Sequence, residues 1–177
     1  MTKISFTPLH HKHFPLLHQW MNTPHVIKWW GENRSWSLED ITKKYETYVL
    51  GYKIIDQLKA PIFGFIIRIN NAPVGYIQYY NAYDFPREQG YKLKNLPKSM
   101  TAIDLYIGDV NFIGKGYGEK IINHFLTEYV WRSFDSCMVD PDLDNLDAVR
   151  TYEKCSFKAI DKITEANSLL MLRTKFE

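Results

Sequence analysis

Three glycines alternate with other residues in Gly114-Lys115-Gly116-Tyr117-Gly118, directly ahead of a segment with helical periodicity. Glycine lets the main chain take positive φ and bring amide N–H groups close to a ligand. A helix start adds unpaired N–H groups and a partial positive charge, so such a bend suits a phosphate group. It is not a Walker A loop, because Lys115 is followed by Gly116 where Ser or Thr is required. Nor does the spacing make a Rossmann fingerprint, and a plain strand-to-helix connection is the alternative reading. Ahead of the bend, Thr101 to Ile107 alternates, with Ile103, Leu105 and Ile107 on one face and Ala102, Asp104 and Tyr106 on the other. Asp104 is an acid within an apolar strand, able to hold an ammonium ion and relay its proton. A direct abstraction is uphill from an aspartate of pKa near 3.9, unless burial raises it or a water mediates. The competing reading is an edge-strand acid turned to solvent.

Other polar residues invite chemistry less directly. Asp135, Asp140, Asp142, Asp144 and Asp147 form a stretch that no Lys or Arg interrupts, and such a patch attracts polycations. Alternatively Asp142 or Asp144 caps the short helix that follows, with the rest solvated. Asp84 and Glu88 are weaker acidic candidates in a long loop. Trp29 and Trp30 offer an apolar wall for a sugar ring, with one of the two expected to serve the core. His10, His11, His13 and His18 fit no zinc spacing and are expected at the surface, so no metal is expected. Cys137 and Cys155 suggest neither a disulfide framework nor a zinc site, and Cys155 reads as core rather than nucleophile.

The elements that must position these groups follow from periodicity. Ile4 to Thr7 reads as a short strand, and Lys12 to Met21 and Ser37 to Tyr48 as helices. The second helix opens on a capping box, Ser37-Leu38-Glu39-Asp40. Strands are expected from residue 62 onward: Ile62 to Ile69 and Val74 to Tyr80, joined by an Asn70-Asn71-Ala72-Pro73 turn. Asn81 to Ser99 reads as a long loop. The helix after the glycine bend carries Tyr117, Ile121, Ile122, Phe125, Leu126 and Tyr129 on one stripe. Ser136 to Val139, a helix over Asn145 to Lys154, and strands Phe157 to Ile163 and Ser168 to Thr174 complete a mixed α/β chain.

The 177 residues favour one domain spanning 1–177, and 45% hydrophobic with 24% charged residues exclude extended disorder. Balanced charge (22 basic, 20 acidic) argues against a nucleic-acid binder. No apolar run approaches the ~20 residues of a bilayer span and no signal peptide is evident, so no membrane is expected and a cytoplasmic location is the default.

The segment 101–130 resembles the GNAT superfamily of acyl-CoA-dependent N-acetyltransferases, whose pyrophosphate loop reads Arg/Gln-x-x-Gly-x-Gly/Ala at the start of a helix. The register here is Ile113-Gly114-Lys115-Gly116-Tyr117-Gly118, with Ile113 in place of Arg or Gln. A second signature, an Asn opening a short helix and a Tyr seven residues on, is matched by Asn145 and Tyr152. The resemblance implies a GNAT fold, a mixed central sheet flanked by helices, with acetyl-CoA as cosubstrate held by residues 113–118 and Asn145. It implies direct transfer in a ternary complex, with Tyr152 as general acid; a phenol of pKa ~10 can protonate a departing thiolate.

A narrower resemblance is to aminoglycoside 6′-N-acetyltransferases, carried by Trp29 to Glu32, Val74-Gly75-Tyr76, Ile103-Asp104, Asp140-Pro141 and Tyr152 to Phe157. It implies a cationic amine substrate, Asp104 as base or ammonium binder, and Asp140 as a substrate contact. Trp29 and Asp84 are substrate-contact candidates from the residues themselves, since the loop over 81–100 matches the family poorly. Siderophore acyltransferases keep the same loop and Tyr. Other acceptors (a siderophore precursor, a polyamine or a protein N-terminus) and a non-catalytic acyl-CoA-binding module are therefore the alternatives. A monomer or homodimer is expected.

Overall fold

A computed structural model describes residues 2–30, 34–87 and 90–176. The strands are β1 (Ile4–Pro8), β2 (Tyr52–Ile55), β3 (Leu58–Pro61), β4 (Phe63–Ile69), β5 (Ala72–Asn81), β6 (Met100–Ile107), β7 (Ser136–Val139), β8 (Lys158–Ile163) and β9 (Ser168–Thr174). The helices are α1 (Phe14–Met21), α2 (Pro24–Trp29), α3 (Leu38–Val49), α4 (Tyr117–Glu128) and α5 (Leu146–Lys154). Seven strands form one mixed sheet in the order β1-β4-β5-β6-β7-β9-β8, and β2 with β3 makes a separate hairpin. The β6–β7 pairing is parallel, whereas β1–β4, β7–β9 and β8–β9 are antiparallel. Residues divide into two compact units, 1–78 with 104–117, and 79–103 with 118–177.

In the first unit the amphipathic helices α1 and α3 pack on one another. The α3 capping box forms as its spelling requires: Ser37 Oγ accepts from the Asp40 N–H at 3.1 Å and Asp40 Oδ2 accepts from the Ser37 N–H at 2.9 Å. Asn22 ends α1 and ties down Trp36, donating to its carbonyl and accepting from its N–H, both at 2.9 Å. Leu17, Met21, Ile41, Tyr45, Ile66, Ile67, Tyr76 and Ile77 are fully buried. In the second unit Ile121, Ile122, Phe125 and Leu126 of α4 are buried, as are Met138, Leu170 and Met171. Each such aliphatic side chain contributes roughly 1.5–3 kcal/mol.

Three elements differ from the sequence reading. Residues ahead of 62 form the β2–β3 hairpin, whose turn residues Asp56 and Gln57 take φ of 48° and 67° without a glycine to announce them. A short helix, α2, precedes the Trp pair, with Thr23 at its N-cap and Pro24 opening it. The β4–β5 turn uses only Asn70 and Asn71 (φ 49° and 70°), and Ala72-Pro73 already belong to β5.

Gly75 of β5 allows a close main-chain approach: a Cβ there would lie 2.2 Å from the Tyr106 carbonyl oxygen. Backbone cannot yield as a side chain would. Gly75→Ala is expected to cost about 3 kcal/mol of stability by overpacking, and Ser37→Ala about 1 kcal/mol by loss of the cap; urea unfolding midpoints check both.

Candidate active site

The glycine bend follows a 3-10 turn over Val110–Phe112 and opens α4 at Tyr117. Gly114 and Gly116 have φ of 69° and 74°, and a Cβ on either would meet nothing within 4 Å. These two glycines serve backbone conformation, and the space beside them is open. Gly118 differs: it is helical, and a Cβ there would come within 3.0 Å of Thr151 Cγ2 of α5. Ile113 and Lys115 are exposed, while Tyr117 is half-buried with its ring 5.6 Å from Phe112. Alternating left-handed glycines at a helix start fit an anionic phosphate.

Asp104 lies on β6, which has β5 and β7 as neighbours, so the edge-strand reading is overturned. The parallel β6–β7 register covers Met100–Ala102 and ends two residues before it. Asp104 is half-buried, and its Oδ2 accepts from Gln78 Nε2 at 2.8 Å. Gln78 Oε1 in turn accepts from the Tyr76 hydroxyl at 2.9 Å. Gln78 was missed in the sequence, although a lone amide inside Val74-Gly-Tyr-Ile-Gln-Tyr-Tyr80 on the Tyr76 face was the available signal. Around this carboxylate the phenols stay protonated. Burial, then the charge of Asp104, pushes Tyr48 up to about 12, and burial raises Tyr76 well above the ordinary range. Trp30 packs edge-on against Tyr76 and Tyr106, at 6.1 and 5.0 Å between centroids. Trp29 is 38% exposed with the Lys28 ammonium 4.3 Å over its ring. The pair thus divides as expected between core and surface; the adjoining Glu32 lies outside the described residues.

In the second unit, Asn145 caps α5, its Oδ1 accepting from the Ala148 N–H at 3.3 Å. Neither Asp142 nor Asp144 does so. Both instead accept from Asn167 Nδ2, at 3.0 and 3.1 Å. Tyr152, two turns into α5, is 8% exposed and meets Phe157 edge-on at 5.5 Å. Cys155 is buried; its thiol donates weakly to the Glu119 carbonyl at 3.7 Å, and burial with the Glu119 charge pushes it up to about 12. A thiol so held is not a nucleophile at neutral pH.

The uninterrupted acidic stretch is neutralised in part from elsewhere. Arg87, its side chain 6% exposed, places a guanidinium nitrogen 3.3 Å from Asp140 Oδ2. Sequence spacing could not show this, because the partners are far apart along the chain. Asp84 is exposed at the end of a 3-10 turn, and Glu88 lies outside the described residues. Among the histidines, His13 is buried, not at the surface as expected, and its Nδ1 accepts from the His10 N–H at 3.0 Å. No group of three metal-ligating side chains occurs among the described residues. Nor is any described helix long and apolar enough to cross a membrane.

A profile of the acetyltransferase (GNAT) domain matches residues 10–164. The chain belongs to the GNAT acetyltransferases. Its fold, a seven-stranded mixed sheet flanked by helices, is the GNAT fold. Among curated GNAT relatives is the aminoglycoside N(6′)-acetyltransferase type 1 of Klebsiella pneumoniae, 27% identical over 165 residues, covering 90% of this chain and 77% of the relative. Among solved structures, that of aminoglycoside acetyltransferase AAC(6′)-Ib with coenzyme A and kanamycin superposes with a TM-score of 0.78 at 22% identity, covering 98% of this chain and 95% of the other. The aminoglycoside N(6′)-acetyltransferase of Legionella pneumophila gives 0.68 at 20% identity, covering 97% and 91%.

Cys155 supplies a pH prediction. Its folded thiol value of about 12 exceeds the ordinary 9.0, so the unfolded chain ionises first. Stability at this group is unaffected near neutrality and falls as pH rises above about 9. Cys155→Ala should flatten that alkaline loss in thermal melts and leave turnover within about twofold.

Proposed function

We propose that this GNAT acetyltransferase transfers the acetyl group of acetyl-CoA to a primary amine, the 6′-amine of an aminoglycoside, by direct attack in a ternary complex. The observation that carries the acceptor side is the half-buried carboxylate of Asp104, set among protonated phenols and held by Gln78. An anion in such surroundings attracts a cation. Asp104 binds the substrate ammonium and accepts its proton directly or through water. The freed amine nitrogen attacks the thioester carbonyl; the C–N bond forms, the C–S bond breaks, and the departing thiolate takes a proton from Tyr152. The acylated nitrogen sheds its second proton to solvent, and Tyr152 is reprotonated from solvent. The Gly114–Gly118 bend, with Ile113, Lys115 and Tyr117, supplies main-chain N–H groups to the pyrophosphate, and Asn145 adds a cofactor contact from the head of α5. Asp140, Asp84 and Trp29 serve the aminoglycoside rings. The curated relatives' named activity supports this reading.

A second acceptor class is favoured by a specific observation. A cavity of about 530 Å³ is lined by Arg34, Lys43, Lys44 and Lys53 against one acid, Asp40, and Tyr48 is also on its wall. This lining favours an amine that also carries an anion, such as a lysine-type siderophore precursor, over a bare polyamine.

Thiol release from acetyl-CoA, compared between kanamycin or tobramycin and lysine-type or peptide amines, tests the choice. Kanamycin is expected to give the higher kcat/KM, and a preference for lysine-type amines would replace the first reading by the second. Asp104→Asn and Tyr152→Phe should each lower kcat about 10²-fold or more while acetyl-CoA affinity stays unchanged. Wild-type turnover in both would remove the assigned roles. Arg87→Ala, which unmasks Asp140, is expected to lower the KM for kanamycin about threefold with little change in kcat.

A further inference from the structure

The buried part of β5 turns one amide toward the acidic residue proposed to hold the substrate ammonium. Gln78 is 9% exposed and lies between Ile77 and Tyr79 in a strand of apolar and aromatic residues. An ionised carboxylate only accepts hydrogen bonds, so the amide must present its nitrogen to Asp104. Its oxygen then faces the other way, where it meets the Tyr76 hydroxyl at 2.9 Å. The hydroxyl is therefore the donor, and the order Tyr76 to Gln78 to Asp104 runs in one direction only.

Tyr76 has no freedom to leave. It is fully buried, with the rings of Tyr45, Tyr106 and Trp30 at 5.4, 5.8 and 6.1 Å. Beside its hydroxyl sits Gly64, where a Cβ would come within 2.5 Å of the phenol oxygen. The missing side chain is what admits the hydroxyl at that spot. A buried Gln with a single anchor would rotate about its terminal torsion; with both ends of the amide engaged, it is locked.

We infer that Tyr76 and Gln78 are positioning residues that fix the plane of the Asp104 carboxylate and favour its ionised form, so that it meets the substrate ammonium without reorganising. Such preorganised donors are worth more in a water-poor site than in solvent, because no dipole has to turn when the substrate arrives. The inference rests on the reading of Asp104 as the ammonium-binding carboxylate. The titratable groups whose charge state responds to Asp104 include two phenols, Tyr48 from α3 and Tyr76 from β5. Both remain neutral near pH 7, and the Gln78 amide is a donor that favours the ionised form.

The test is a pH profile of kcat/KM for kanamycin in Tyr76→Phe, Gln78→Leu, their double variant and Asp104→Asn. Loss of a donor to the carboxylate raises its pKa, so activity should fall away at a higher pH on the acid side. Gln78→Leu is expected to lower kcat/KM about tenfold and move the acid limb up by about one pH unit, with the KM for acetyl-CoA unchanged. Tyr76→Phe, which keeps the ring and the packing, should move both in the same direction by less. The double variant should match Gln78→Leu alone, because the hydroxyl acts only through the amide. Unshifted acid limbs, or losses that add in the double variant while Asp104→Asn is inactive, would overturn the inference and leave the proposed function standing. An active Asp104→Asn would overturn both.

Discussion

A carboxylate on an interior strand is the demand that organises the first unit. Asp104 is half-buried among aromatic side chains, where a carboxylate is disfavoured unless a donor meets it. Gln78 meets that need, and everything that keeps Gln78 in place follows from it: the Tyr76 hydroxyl, the notch at Gly64, the packed rings of Tyr45, Trp30 and Tyr106. Gly75, one residue before Tyr76, lets β5 lie against the Tyr106 carbonyl at the same level. The rings of Tyr45, Tyr76, Tyr106 and Trp30 thus make a surrounding of low polarity for the amide that holds this acid.

The second unit handles its acids differently. Asp140 meets the Arg87 guanidinium, while Asp142 and Asp144 share the amide of Asn167. What reads along the chain as an anionic surface is, in three dimensions, largely a set of loop ties. Such ties hold the segment between β7 and α5 and leave Asn145 to start the helix that carries Tyr152. A polycationic substrate reaching Asp140 would have to compete with a guanidinium already there, so the charge that steers an amine is smaller than the spelling suggests.

Much of this was legible beforehand. The glycine bend, the α4 stripe, the α3 capping box and strands β6, β7 and β9 are local patterns with strong periodicity or cap chemistry, and all stand close to where the sequence puts them. The β2–β3 hairpin was not legible, because Asp56-Gln57 lacks the Asn-Gly or Gly spelling of a tight turn and the strands are short and partly exposed. Helix α2 had a signal, Thr23-Pro24, overshadowed by the neighbouring tryptophans. Of the site, Asp104 and the helix bearing Tyr152 were readable from register. Gln78 carried only one signal, a lone amide in an apolar strand, and Arg87 carried none, since each acquires its role from a residue distant in the chain.

The left-handed backbone positions have a consequence for how this protein could change. Among the described residues glycine holds four of the positive-φ positions, but Asp56, Gln57, Asn70, Asn71, Asn95, Ser156 and Asn167 hold others. Asparagine tolerates that conformation well; Gln57 and Ser156 tolerate it poorly, at roughly 1 kcal/mol each relative to glycine. Selection has left that slack untaken, so the fold retains room to absorb a damaging substitution elsewhere by a compensating glycine in one of these turns.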